Sequence, residues 1–256
     1  MVDWGIGRYE QTAVELAPVA EHVVSLAELE GGELVIDLAT GTGNAALLAA
    51  RAGAVVTGLD SAARLIDVAR ERTASEDVEA TFVVGDLEAL PFEDGSFDLA
   101  LSVFGLIFAG DAGHAFDEMM RVLRPSGRAL FSVWVPVGPI DAMVGTFGRA
   151  IAAATGSRRD RFGWHDADAV RELAVGHDAQ VRIHEGELVI TGASPEAYLE
   201  AAERHHPMSI AGRAPLERAG TYREVRDQAL TVLREGNEDP EAFRVSSPYR
   251  VIEVRR

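Results

Sequence analysis

At 256 residues, 47% hydrophobic and 25% charged, the chain has the apolar content of one ordinary globular domain with a large core and some decoration. A formal net charge of −17 repels nucleic acid and anionic lipid, which sets polymer and membrane-surface substrates aside. Cysteine is absent and all 24 basic residues are arginine, so disulfides, thiolate nucleophiles, cysteine-bound zinc, Schiff-base lysines and a P-loop lysine are excluded.

No apolar run approaches the ~20 residues of a membrane span. The opening Met1-Val2-Asp3-Trp4-Gly5 lacks a basic stretch followed by an apolar one, so a cytoplasmic location is expected. Tyr9 to Leu29 reads as helix, broken or restarted near Pro18, and Gly31-Gly32 ends it. Strands and helices then alternate: strand Leu34–Leu38, helix Asn44–Ala52, strand Val55–Leu59, helix Ala62–Thr73, strand Ala80–Val84, strand Leu99–Val103, helix Ala112–Leu123, strand Ala129–Val135. Such alternation predicts an α/β protein with a parallel sheet covered on both faces. Ser61 is placed to cap the second of these helices, and Pro125 with Gly127 to turn the chain into the last strand.

After Val135 the rhythm changes. Pro136 to Gly163 is rich in Gly, Ala and Pro and reads as irregular, with Arg158-Arg159-x-Arg161 as a solvated basic loop. Helix His165–Val175, strand Val181–Ile190, helices Ser194–His206 and Pro215–Arg234, and strand Phe243–Val254 complete the chain.

The run Val35-Ile36-Asp37-Leu38-Ala39-Thr40-Gly41-Thr42-Gly43-Asn44 is an apolar strand entering a glycine turn that opens a helix. Its glycines admit close backbone approach, and the helix start offers unpaired N–H groups. Asp60 ends the next apolar run, where a carboxylate accepts both hydroxyls of an adenosine ribose. Gly41-x-Gly43-x-x-Ala46 also satisfies the dinucleotide fingerprint. Asp37 argues against that: a carboxylate there repels a pyrophosphate and attracts a cation such as the ammonium of S-adenosylmethionine.

These residues, with Gly58-Leu59-Asp60-Ser61, the stretch from Gly85-Asp86-Leu87 to Ser96-Phe97-Asp98, and Arg121-Val122-Leu123-Arg124-Pro125-Ser126-Gly127, resemble the class I S-adenosylmethionine-dependent methyltransferases. The likeness is to the small-molecule type similar to quinone-biosynthesis methyltransferases, and it covers Leu34 to about Val135. One departure is Ala39, where the family carries its first glycine. The resemblance implies a Rossmann-like, doubly wound, seven-stranded, mostly parallel sheet with an antiparallel edge strand and helical additions over the active edge. It implies one domain over 1–256, with a core of 31–136, 165–192 and 240–256 and additions at 1–30, 137–164 and 193–237. It implies S-adenosylmethionine as cofactor, S-adenosylhomocysteine as product, and methyl transfer to an O, N or C atom of a small-molecule acceptor. A nicotinamide-dependent oxidoreductase and a non-catalytic S-adenosylmethionine-binding protein are the alternatives.

For the cofactor the resemblance implies Asp37, Ala39, Thr40, Gly41, Gly43, Asn44, Asp60 and Ser61. It adds Asp86 at the adenine amino group, Leu87 at the ring edge, the backbone of Ser102 and Val103 at the methionine portion, and Tyr9 folded over the whole. Asp98 is read as structural. Trp4, Phe104 and Trp164 are candidate walls of an acceptor pocket, and His165 is the catalytic candidate. No His, Asp or Glu spacing argues for a metal.

Overall fold

The computed structural model describes residues 2–156 and 162–256; the cluster from Arg158 to Arg161 lies outside the described residues. In chain order the elements are α1 (Tyr9–Glu15), α2 (Ala17–Leu26), β1 (Leu34–Leu38), α3 (Asn44–Arg51), β2 (Val55–Asp60), α4 (Ala63–Glu76), β3 (Thr81–Val84) and β4 (Phe97–Val103). A short turn of helix, Leu106–Phe108, precedes α5 (Ala112–Val122), β5 (Leu123–Trp134), α6 (Gly138–Thr155), α7 (Ala167–Val175), β6 (Gln180–Gly192), α8 (Pro195–His205), α9 (Pro207–Arg218), α10 (Tyr222–Glu235) and β7 (Phe243–Arg255).

One seven-stranded sheet has the order β3-β2-β1-β4-β5-β7-β6. β1 runs parallel to β2 and to β4, and β5 parallel to β4, while β7 is antiparallel to β5. The antiparallel strand therefore stands one place in from the edge. Strand order reverses between β1 and β4, and at that switch point the carboxyl ends of parallel strands open a crevice for ligands.

The chain divides into two compact units. The first comprises Met1–Glu15, Val135–Arg161 and Glu187–Pro248; the second comprises Leu16–Trp134, Phe162–Gly186 and Tyr249–Arg256. The second is built on strands apolar enough to be buried on both faces: Val35, Ile36, Leu59, Leu99 and Leu101 are fully buried. The first is helical. In α10, Val225, Ala229, Leu230 and Leu233 form the buried stripe expected of a surface helix.

Three expectations need correction. Pro136 to Gly163 is not irregular, because α6 fills Gly138–Thr155. The stretch read as one helix from Pro215 is two: Pro215 lies inside α9, and the break falls at Gly220, with φ +72. Ser61 does not cap α4; the cap position is Ala62, whose amide donates to Asp60 Oδ1 at 2.8 Å. No described helix is long and apolar enough to cross a membrane.

Candidate functional site

The loop after β1 takes three left-handed residues, Ala39 at φ +53, Gly41 at +55 and Gly43 at +86. Glycine adopts that conformation freely and alanine does not, which is the physical sense of a glycine at position 39 in the family. The loop is sewn to β2: the Thr40 amide donates to the Leu59 carbonyl at 2.9 Å, and the Gly41 amide to Asp60 Oδ2 at 2.9 Å. A Cβ on Gly105, just beyond β4, would collide with the Ala39 Cβ, so the Gly105 backbone packs directly on the Ala39 methyl.

Asp37, at 1% exposure, accepts from Thr40 Oγ1 at 2.5 Å and from the Ala46 amide at 3.1 Å. Ala46 is the third residue of α3, so a carboxylate already occupies one amide of the helix start that a pyrophosphate needs. The dinucleotide alternative loses its anchor there. Burial pushes the Asp37 carboxyl up to about 7, against the hydrogen bonds from Thr40 and Ala46. Asp60, 7% exposed, is also pushed upward by burial, opposed by the amides of Ala62, Gly41 and Ser61. Two buried carboxylates answered by amides and a hydroxyl make a place for a cationic, hydroxyl-bearing ligand.

The other strand ends add their groups within the same unit. Asp86 is exposed and its Oδ1 accepts from the Glu88 amide at 3.0 Å, while Leu87 is half-buried. Fully buried Ser102 donates to the Leu38 carbonyl at 2.8 Å and accepts from the Leu106 amide at 3.0 Å, tying β1 to the turn after β4. Val103 is paired with Ser132. Asp98 accepts from the Leu34 amide and from Arg124, so it fastens β1 and stands apart from the strand tips.

The expected acceptor residues divide between the two units. Trp164 is 4% exposed and packs edge-on against Phe131 at 5.5 Å and Phe162 at 4.9 Å. His165 is half-buried, with its carbonyl accepting from Arg250 at 2.6 Å. Tyr9 and Trp4 belong to the first unit, where their rings meet edge to face at 5.7 Å and Trp4 meets His206 at 5.9 Å.

Two supports were not visible in the sequence. Arg72 on α4 donates through Nη1 to the Thr42 carbonyl at 2.8 Å and to Asn44 Oδ1 at 2.7 Å, so Asn44 helps to latch the loop. Glu88 accepts from the amides of Gly110 at 2.5 Å and Asp111 at 3.0 Å, holding the Asp86 loop to the start of α5. Glu88 lies inside the motif stretch and could have been found there; Arg72 carries no local signal.

A family model for the methyltransferase domain matches residues 35–127. An uncharacterized protein of Mycobacterium tuberculosis is 32% identical over 188 residues, spanning 73% of this chain and 69% of that protein. A demethylmenaquinone methyltransferase of Thermus thermophilus is 40% identical over 117 residues, or 45% of this chain and 53% of that protein. Among solved structures, the YcgJ protein of Bacillus subtilis superposes with a TM-score of 0.64 at 20% identity, covering 93% of this chain and 97% of that one, a likeness of fold.

Proposed function

The chain belongs to the class I S-adenosylmethionine-dependent methyltransferases, and from that premise we propose that it methylates a small hydroxylated ring compound of the quinol kind. The observation that carries the cofactor assignment is the Asp37 carboxylate bound to the start of α3. It turns a phosphate site into an ammonium site. Asp37 then faces the cofactor's amino group, Asp60 takes the ribose hydroxyls, and Asp86 with Leu87 takes the adenine. When bound, S-adenosylmethionine supplies an electrophilic methyl on a sulfonium. What is left to the protein is in-line alignment and exclusion of water.

The quinol class is supported by the 40% identity over 117 residues to the Thermus thermophilus enzyme. We also propose that acceptor selectivity resides in the segments 137–164 and 193–237. Exchanging them for those of a relative should change which acceptor is used and leave S-adenosylhomocysteine affinity as it was.

Calorimetry and thermal melting test the first step. S-adenosylhomocysteine should bind and raise the melting temperature, since a ligand specific to the folded state stabilises it by mass action. NAD and NADP should not. Isotopically labelled S-adenosylmethionine supplied with a naphthoquinol should then give a labelled ring product. A melting shift with NAD as large as that with S-adenosylhomocysteine would overturn the cofactor assignment.

A further inference from the structure

Asp37 holds the loop after β1 at Thr40 and Ala46, and Asp60 holds it at Gly41. Between those points stands Gly43, at φ +86 at the head of α3, with no side chain to cap the helix. Glycine takes both signs of φ at little cost, so the Thr42–Gly43 peptide plane can turn over unless something holds it. Arg72, on α4, holds it. Its Nη1 donates to the Thr42 carbonyl at 2.8 Å, to Asn44 Oδ1 at 2.7 Å and, at greater length, to Thr42 Oγ1 at 3.3 Å. In a trans peptide the N–H points opposite to the C=O. With the Thr42 carbonyl drawn to α4, the Gly43 amide is left facing Thr40, whose carbonyl it meets at 2.9 Å.

Arg72 is itself held. Glu76, one turn further along α4, stands 3.6 Å from Arg72 Nε through Oε1, and its carboxylate also pairs with Arg51 in the last turn of α3. Asn44 opens α3 and Arg51 closes it, so Arg72 and Glu76 grip one helix at both ends. Glu76 also stands between two like charges: burial, and then the charge of Arg51, push the Arg72 guanidinium below its usual value. Arginine nonetheless stays charged through neutral pH.

We propose that Arg72 is a positioning residue for the cofactor: it locks the Thr42–Gly43 peptide so that the loop stands in its binding conformation before the cofactor arrives. This rests on the reading of the loop after β1 as the S-adenosylmethionine site. Thr40, whose hydroxyl is on Asp37, and Gly41, whose amide is on Asp60, lie within two residues of the locked peptide, so a turned plane displaces the partners of both carboxylates. A loop ordered in advance spares the ligand the cost of ordering it, and loss of the lock is therefore read as lost affinity. Arg70, two residues earlier on the same helix, supplies the comparison. Its Nη2 donates to the Phe82 carbonyl on β3 at 2.7 Å and its Nη1 to Asp67 at 3.2 Å, and neither bond reaches the loop.

The test is calorimetry of the full chain with S-adenosylhomocysteine, at a temperature where every variant is folded, with thermal melting read alongside. Arg72→Ala should lower affinity about tenfold, the scale of a lost charge-assisted hydrogen bond. Arg72→Lys keeps the charge but not the planar fork, and should lie between that variant and the parent. Arg70→Ala should lower the melting temperature yet keep the parent's affinity. An Arg72→Ala protein that binds S-adenosylhomocysteine as tightly as the parent, or an Arg70→Ala protein that loses as much affinity, would overturn the lock. Should Arg72→Ala fail to fold, Arg72→Lys against Arg70→Lys decides on the same terms. Failure of the parent to bind S-adenosylhomocysteine would instead sink the methyltransferase reading.

Discussion

In the second unit two carboxylates at the strand ends, Asp37 and Asp60, are buried and answered by backbone: Asp37 by the Ala46 amide, Asp60 by those of Gly41 and Ala62. In the first unit carboxylates on the helices are answered by arginines: exposed Glu196 by Arg234 and Glu200 by Arg204, and half-buried Glu203 by Arg226. A side chain held by amides is fixed wherever the chain trace is fixed. A pair of long side chains can be exchanged for another at little cost. The first arrangement suits a ligand that never changes, and the second leaves the helices free to diverge. In keeping with this, the family model match at 35–127 falls wholly inside the second unit.

The sharpest way to break that contrast is to remove the charge that burial penalises. Raising the Asp37 carboxyl from 3.8 to about 7 means that the ligand-free protein has a stability term fully present below pH 3.8 and lost as pH rises through about 7. Its size by linkage is on the order of 4 kcal/mol. Asp37→Asn should abolish that slope, as urea unfolding of both proteins between pH 4 and pH 8 would reveal. S-adenosylhomocysteine binding to the parent should tighten over the same rise in pH as Asp37 ionises, and the variant should lose that dependence. Equal slopes for parent and variant would mean that Asp37 is not the group responsible.

Asp60→Ala should weaken S-adenosylhomocysteine by roughly 1–3 kcal/mol, the scale of lost charge-assisted hydrogen bonds. Unchanged binding in calorimetry would remove Asp60 from the ribose. Gly105→Ala places a methyl on the Ala39 Cβ and should cost about 1–3 kcal/mol of stability, typical of overpacking. A melting temperature equal to the parent's would show that the loops give way. At the other extreme, Arg204→Ala breaks an exposed pair on α8 and should change stability by less than about 0.5 kcal/mol. A large loss there would erase the distinction between the two units.

Much of the second unit was legible because its signals are local. An apolar run, a glycine turn and an alanine-rich helix lie within a dozen residues of one another, and Asp60 and Asp86 each end an apolar run. The first unit was less so. Gly138, Gly145 and Gly148 dilute the periodicity of α6, and each glycine counts against a helix that tertiary packing nonetheless forms. Pro215 is a common helix start, yet α9 carries it past its middle, where the fixed φ still suits the turn. Arg72 could not be linked to Thr42, nor His22 to Tyr249, because those contacts exist only once the sheet has brought distant segments together.

Ala39 and Gly105 also carry a lesson about the order in which this chain can change. Space for a single methyl exists where their loops touch, and the protein has placed it on residue 39. Glycine at 39 relaxes a left-handed alanine and removes the closest clash with a methyl at 105, leaving Ser102 Oγ at 3.0 Å and the Leu38 carbonyl at 3.1 Å. The reverse order passes through a crowded intermediate carrying both methyls. The two positions are therefore epistatic: the cost of a methyl at 105 depends on the residue at 39. An evolutionary path that puts a methyl at 105 meets the greater crowding if it does so before residue 39 becomes glycine.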